Sequence, residues 1–378
     1  MRALARWLPS LAAQVPWFPL GEWPTPLSRR EVDGRPLWFK HEGDSHPTYG
    51  GNKLRTLEMW FGLAHERGAR RIWAMGAYGS NHAIATLVHA ERAGLEAGAL
   101  LFPQPATSWA IENAGAMVTN GAPIVGMRSI VELPFRGMWA ARDRDALVMP
   151  PGGATTVGTF GAVNAIFELA LQIADEKTAI PPPARIVLPI GSACTTAGLL
   201  AGLVLARACG AWPWDLPIIH GVRVTPWPVT SRLRIANLAR ATLARASSLD
   251  PLAVRRADAG KRRLDGRELR PADGKRGMLD ELLDMRVLLQ HLVVDGAELG
   301  KGYGQPTLAA LRAEADLAGG PRLDGVYSAK AAAALLRLHR EGVGPLLFWS
   351  TKSTAVLDAP DAAELSHANR AIRRWMQS

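Results

Sequence analysis

RIWAMGAYGSNHAIATLVHAERAGLEAGALLF, residues 71–102, decides the fold. Arg71-Ile72-Trp73-Ala74-Met75 is a short apolar run of strand type. A glycine-rich turn, Gly76 to Gly79, follows it. Asn81 to Ala93 then carries a helical pattern that stops at Gly94, a common helix terminator. Ala97 to Phe102 is a second apolar run, closed by Pro103. The same alternation extends outward. Leu37 to Lys40 reads as a strand, and Lys53 to Glu66 as a helix with Leu54, Leu57, Phe61 and Ala64 at helical spacing. Ile186 to Ile190 reads as a buried strand, Thr195 to Cys209 as a small-residue helix, and Pro345 to Trp349 as a late strand. Strands alternating with helices predict an α/β fold with parallel sheets. In such sheets a ligand sits at the carboxyl ends of the strands, where loops lead into helix N-termini.

The chain has 378 residues, a length that suits two domains of roughly 100–200 residues each. No apolar run approaches the ~18–20 residues needed to span a bilayer, and Met1 to Trp7 lacks the features of a signal peptide. Two cysteines, Cys194 and Cys209, make no disulfide framework and suit a reducing cytoplasm. No Cys/His cluster has metal-ligand spacing, so no metal is expected. The net charge of +10 raises the question of nucleic acid. The arginines are concentrated between Arg232 and Arg276, without interleaved aromatics. A solvated surface segment is the commoner meaning of such a run, and no nucleic-acid partner is expected. Pro181-Pro182-Pro183 marks one boundary, and residues 231–277 read as a basic, helix-prone excursion. There is no internal repeat.

Three glycine-containing loops can carry chemistry. In Tyr49-Gly50-Gly51-Asn52-Lys53 the glycines permit close backbone approach, Asn52 is a plausible N-cap, and Lys53 opens the helix. The helix dipole disfavours a cation there. An amine tied up as an imine with an aldehyde cofactor removes most of that conflict, although a surface lysine after a turn is the commoner case. In Gly76-Ala77-Tyr78-Gly79-Ser80-Asn81-His82, backbone N–H groups at a helix start can bind a carboxylate or phosphate. Ser80 and Asn81 can equally serve only as caps, and His82 as a helix-face histidine. Gly191-Ser192-Ala193-Cys194-Thr195-Thr196-Ala197-Gly198 has the composition of a phosphate cradle. It fits neither the Walker A nor the dinucleotide pattern. Three of the four tyrosines, Tyr49, Tyr78 and Tyr303, lie beside glycines, which suggests a use for the hydroxyl, with packing as the alternative for each. The fourth is Tyr327.

Together these residues resemble the family of 1-aminocyclopropane-1-carboxylate (ACC) deaminase and D-cysteine desulfhydrase, within the tryptophan-synthase-β type of pyridoxal-phosphate (PLP) enzymes. The motifs run in order: Pro24-Thr25-Pro26-Leu27, Phe39-Lys40-His41-Glu42, Gly50 to Lys53, Gly79 to His82, Pro151 to Thr155 with Gly158 and Gly161, the Gly191 loop, Tyr303-Gly304, Val326-Tyr327, and the strand before Thr351. The resemblance implies two domains with open, twisted, mostly parallel sheets. The larger domain comprises residues 1–45 and 160–378, the smaller 46–159, with PLP in the cleft between them. It implies Lys53 as the cofactor-bearing lysine and Asn81 as partner of the cofactor's ring hydroxyl. Gly191, Ser192, Ala193, Cys194, Thr195 and Thr196 form the phosphate cup, and Thr351 faces the pyridine nitrogen. Ser80, Asn81 and His82 bind the substrate carboxylate, with Ser80 also a candidate acid, base or nucleophile, and Tyr303 and Tyr327 are the active-site phenols. A hydroxyl facing the ring nitrogen weakens the electron sink and favours elimination over transamination.

The expected activity is that of a lyase or deaminase acting on a small amino acid. Lys53 or a neighbouring phenol removes the α-proton, and β-elimination yields a keto acid and ammonia. The resemblance also implies a homodimer, and the cysteine count a cytoplasmic location. Three departures bear on the substrate: Thr351-Lys352-Ser353 stands where the family has Thr-Gly-Gly, Ser328 where ACC deaminases have Glu, and Ile84 where the family has Arg. Alternatives are a β-replacement enzyme of the cysteine-synthase type and a diverged, non-catalytic PLP binder.

Overall fold

The computed structural model describes residues 2–250 and 283–377. Ten strands form two sheets among the described residues. The smaller sheet has the order β5-β4-β3-β6, from β3 (Arg71–Ala77), β4 (Glu96–Phe102), β5 (Ile124–Gly126) and β6 (Ala146–Met149). All of its pairings are parallel. The larger sheet has the order β1-β2-β10-β7-β8-β9. It is built from β1 (Leu27–Val32), β2 (Arg35–His41), β7 (Arg185–Ile190), β8 (Ile218–Arg223), β9 (Leu292–Asp295) and β10 (Leu346–Ser350). Only the β1–β2 edge pair is antiparallel. The α/β class and the mostly parallel, helix-flanked sheets predicted from the alternation are therefore present.

Helices in chain order are α1 (Pro9–Gln14), α2 (Lys53–Glu66), α3 (Asn81–Ala90), α4 (Ser108–Thr119), α5 (Leu133–Ala140), α6 (Phe160–Ala174), α7 (Cys194–Ala208) and α8 (Arg232–Leu249). Helix α2 is buried from Leu54 to Ala64 because it packs between helices α3 and α6. Small residues make that approach possible. A Cβ on Gly161 of α6 would lie 1.9 Å from the Arg55 carbonyl oxygen of α2.

A buried ion network ties α2 in place. The Arg55 Nε donates to Glu42 at 2.6 Å, and its terminal nitrogens donate to Glu168 at 2.9 and 3.0 Å. Lys40 of β2 pairs with Glu168 of α6 at 2.5 Å and donates to the Thr25 carbonyl at 2.7 Å. Burial by itself would raise the Glu168 carboxyl, but Arg55 and Lys40 bring it down to about 2. The motif residues Thr25, Lys40 and Glu42 thus serve to fix the helix that begins with Lys53.

The basic region departs from its expected character. Helix α8 is not a solvated excursion: Ile235, Ala236, Ala239 and Leu243 are buried, and the helix packs on α7. The remainder of that region, 251–277, lies outside the described residues. The C-terminal helices Ala362–His367 and Arg370–Met376 pack on α4, and the second also on β5, beside the smaller sheet.

Candidate active site

Lys53 stands at the first position of α2. The loop before it is wedged between two other segments. The Gly51 N–H donates to the Glu42 carbonyl at 2.8 Å, and the Gly50 N–H to Ser353 Oγ at 3.0 Å. Gly51 has φ +103°, and a Cβ there would lie 2.8 Å from the Thr351 carbonyl oxygen, so glycine is required on both counts. Asn52 does not cap α2 through its side chain. Its Nδ2 instead reaches across to Thr195 Oγ1 at 2.8 Å, which links the lysine loop directly to the Gly191 loop.

The lysine amine lies near the turn after β6. Gly152 and Gly153 adopt φ of +66° and +65°, and a Cβ on Gly152 would sit 2.2 Å from Ser192 Oγ and 3.8 Å from Lys53 Nζ. Burial lowers the Lys53 pKa, partly offset by Cys194. Depressed basicity of this kind makes a lysine amine available as nucleophile and base.

The Gly191 loop leads from β7 into α7, whose first residue is Cys194. Ala193 takes a left-handed conformation, φ +73°, although it is not glycine. Such strain in a non-glycine residue clusters at ligand sites. Ser192, Thr195 and Thr196 put hydroxyls at this helix N-terminus, a suitable place for a phosphate. The Tyr327 ring closes on the loop, with its Cε1 at 3.0 Å from where a Cβ on Gly191 would be.

Asn81 opens α3. Its Oδ1 accepts from the Tyr49 hydroxyl at 3.0 Å, Asn113 Nδ2 at 3.0 Å and Lys352 Nζ at 3.2 Å. Ser80 caps α3 by accepting from the Ala83 N–H at 3.2 Å. His82 is buried, and neither ring nitrogen has a hydrogen-bond partner. Burial, helped by nearby Lys53, lowers its pKa to about 3, so the ring is neutral. It adjoins the Gly153 turn. Tyr303 and Tyr327 hydrogen-bond to each other through their hydroxyls, and Tyr303 donates to Gln104 Oε1 at 3.2 Å. Burial pushes Tyr303 up to about 12 and Tyr327 well above the usual phenol value, so both phenols keep their protons at neutral pH. Tyr78 behaves differently: its hydroxyl donates to the Met127 carbonyl and its ring packs on Trp375, a packing role.

Thr351 follows β10, where its carbonyl accepts from the Asn52 N–H at 3.3 Å. A cavity is lined by Asn81, Gln104, Trp109, Asn113, Tyr327 and Lys352, among others. Gln104, Trp109 and Asn113 carried no sequence signal of their own. Gln104, however, stands two residues beyond the carboxyl end of β4, where the strand-end rule directs attention.

The donor set fits PLP: a lysine amine of lowered basicity, a hydroxyl-bearing helix N-terminus bonded to its loop, and an amide opposite. Comparison with known proteins agrees. The family described as "Pyridoxal-phosphate dependent enzyme" matches residues 18–345, and this chain belongs to that family; its cofactor is pyridoxal phosphate. It is related within it to ACC deaminases and D-cysteine desulfhydrases. It is 31% identical over 354 residues to the nocardicin C-9' epimerase of Nocardia uniformis subsp. tsuyamanensis, covering 90% of this chain and 93% of that one. The D-cysteine desulfhydrase of Salmonella paratyphi C is 30% identical over 200 residues, 48% of this chain and 58% of that one. A crystal structure described as an ACC deaminase homologue superposes with a TM-score of 0.68 at 24% identity, covering 94% and 95% of the two chains; it shares the fold.

Proposed function

We propose that this chain moves the α-proton of a small amino acid and expels a β-substituent, after which water hydrolyses the resulting imine to a keto acid and ammonia. The observation that carries this is the half-buried Lys53, whose amine lies beside the Gly152–Ser192 contact with its basicity lowered by burial. Bound there, PLP supplies an aldehyde for amines and a ring that spreads charge from the α-carbon. Lys53 would hold the cofactor, and its amine of lowered basicity would take the α-proton. Ser192, Thr195, Thr196 and the first N–H groups of α7 hold the phosphate. Asn81 would hold the ring oxygen and Thr351 the ring nitrogen. The open N–H groups of α3, with Ser80 and His82 beside them, take the substrate carboxylate.

The phenols act as proton donors. Their raised pKa values keep Tyr303 and Tyr327 protonated, which suits protonation of a leaving group and not removal of the α-proton. A cytoplasmic homodimer is part of the same proposal. Among the described residues no helix is long and apolar enough to cross a membrane.

Epimerisation is the second reading. The 31% match to an epimerase runs over 90% of this chain, against 48% for the desulfhydrase. It shares the first step and differs in the return of the proton. The test is a panel of D- and L-amino acids, scored for keto acid by a coupled dehydrogenase and for inversion by chiral chromatography. Keto-acid release from at least one member is the expected outcome. Inversion without release establishes the second reading in place of the first, and neither product from PLP-loaded protein contradicts both.

A further inference from the structure

The residue where the family pattern has glycine turns its side chain inward. Lys352 follows Thr351 at the end of β10 and is 3% exposed. Its Nζ donates to Asn81 Oδ1 at 3.2 Å and Asn113 Oδ1 at 3.3 Å, and lies 5.9 Å from the centre of the Trp109 ring.

A lysine ammonium only donates. Both asparagines must therefore present oxygen to it, which settles two amide orientations that heavy-atom positions leave ambiguous. With its oxygen on Lys352, Asn113 directs Nδ2 to Asn81 Oδ1 at 3.0 Å and the Gly79 carbonyl at 2.9 Å. Asn81 Oδ1 then has three donors, the Tyr49 hydroxyl being the third. The remaining hydrogen-bonding group of the Asn81 amide is Nδ2, and Asn81 lines the cavity.

The charge matters as well as the geometry. Burial lowers the Lys352 pKa, Asp324 and Glu112 act to raise it, and Arg322 lowers it further; Asp324 and Tyr327 line the same cavity, and Tyr49 adjoins the same amide. The Asp324 oxygens accept from the Val326 and Tyr327 N–H groups and the Ser328 hydroxyl. Glu112 pairs with Arg322 at 2.6 Å. Among the described residues, no ion pair joins a carboxylate to Lys352. A buried ammonium held by two neutral amides, with no carboxylate paired directly to it, favours an anion in its neighbourhood.

We propose that Lys352 is a positioning residue: it locks the Asn81 amide with its N–H2 directed to the cofactor's ring oxygen, and its charge favours the deprotonated form of that oxygen. This rests on the placement of Asn81 against the cofactor ring. The test is a pH titration of the visible band of PLP-loaded wild type, Lys352→Met, Lys352→Gln, Lys352→Arg and Asn81→Ala, with circular dichroism to confirm folding. Lys352→Gln keeps a donor while removing the charge, and serves where Lys352→Met does not fold. Loss of the charge should raise the titration midpoint by about one pH unit or more, with Lys352→Arg closer to wild type and cofactor release faster in the neutral variants. An unchanged midpoint in folded Lys352→Gln, while Asn81→Ala shifts it, overturns the proposal. Unchanged midpoints in both, with a normal visible band, overturn the Asn81 placement and the proposal with it, and leave PLP binding at Lys53 standing.

Discussion

His82 shows what burial does to a single side chain. Its two ring nitrogens have no partner, and its pKa falls from 6.5 to about 3. In the unfolded chain the ring takes up a proton below pH 6.5, while in the folded chain it stays neutral down to about 3. The unfolded state therefore binds more protons within that window, and stability falls as pH drops through it. Urea unfolding at pH 7 and pH 5.5 measures the effect. His82 should contribute a loss of roughly 1.4 kcal/mol per pH unit below its unfolded value, and His82→Leu should show a shallower fall; identical slopes in the two proteins contradict the buried, neutral ring. At this scale the sequence was informative where a motif has a fixed geometry. Lys53, Asn81 and the Gly191 loop were singled out from glycine-rich turns and a family resemblance, and the Lys53 loop bonds to both of the others, through Asn52 to Thr195 and through Tyr49 to Asn81. Asn52 was not readable: as an N-cap candidate it should bond its own helix, yet Thr195 lies 143 positions away and wins its Nδ2. Nothing local in a sequence reports such a partner. Lys352 could be seen only as a departure from glycine, not as a donor to two asparagines.

The elements were the most legible level, because period and punctuation are local. Lys53–Glu66 is a helix at the bounds expected from its apolar spacing, and the Gly94 stop falls where the chain turns left-handed, φ +64°. Helix α8 was less legible. Its arginines suggest solvent, while Ile235, Ala236, Ala239 and Leu243 form a buried stripe that packs on α7. The charged network around α2 was invisible as a network, since Lys40, Glu42, Arg55 and Glu168 come from three elements and the loop after β2. Its disruption has a definite cost. Glu168→Ala leaves buried Lys40 without its paired carboxylate and Arg55 with Glu42 alone, and breaking a buried pair in this way typically costs about 3–5 kcal/mol. Chemical denaturation of cofactor-free protein should show a loss of that size. A loss below about 1 kcal/mol, the range of exposed pairs, would mean that the network does not hold α2.

The whole molecule places its chemistry by topology. Strand β3 delivers the Gly76 loop and α3 from one sheet, and β7 delivers the Gly191 loop and α7 from the other. Strand β10 brings Thr351 against the Lys53 loop. In both sheets the candidate loops thus follow strand carboxyl ends, as expected of parallel sheets. The C-terminal helices pack beside the smaller sheet, where Trp375 bonds the Gln104 carbonyl; the sequence alone assigned them to the larger half, because a late segment has no local mark of where it docks. The central claim is the covalent seat of the cofactor, and two lysines of lowered basicity, Lys53 and Lys352, compete for it in principle. Borohydride reduction of PLP-loaded protein, followed by peptide mass mapping, distinguishes them. The label should fall on Lys53, and Lys53→Ala should show neither label nor visible band. A label on Lys352, or a Lys53→Ala protein that keeps both band and turnover, would contradict the assignment.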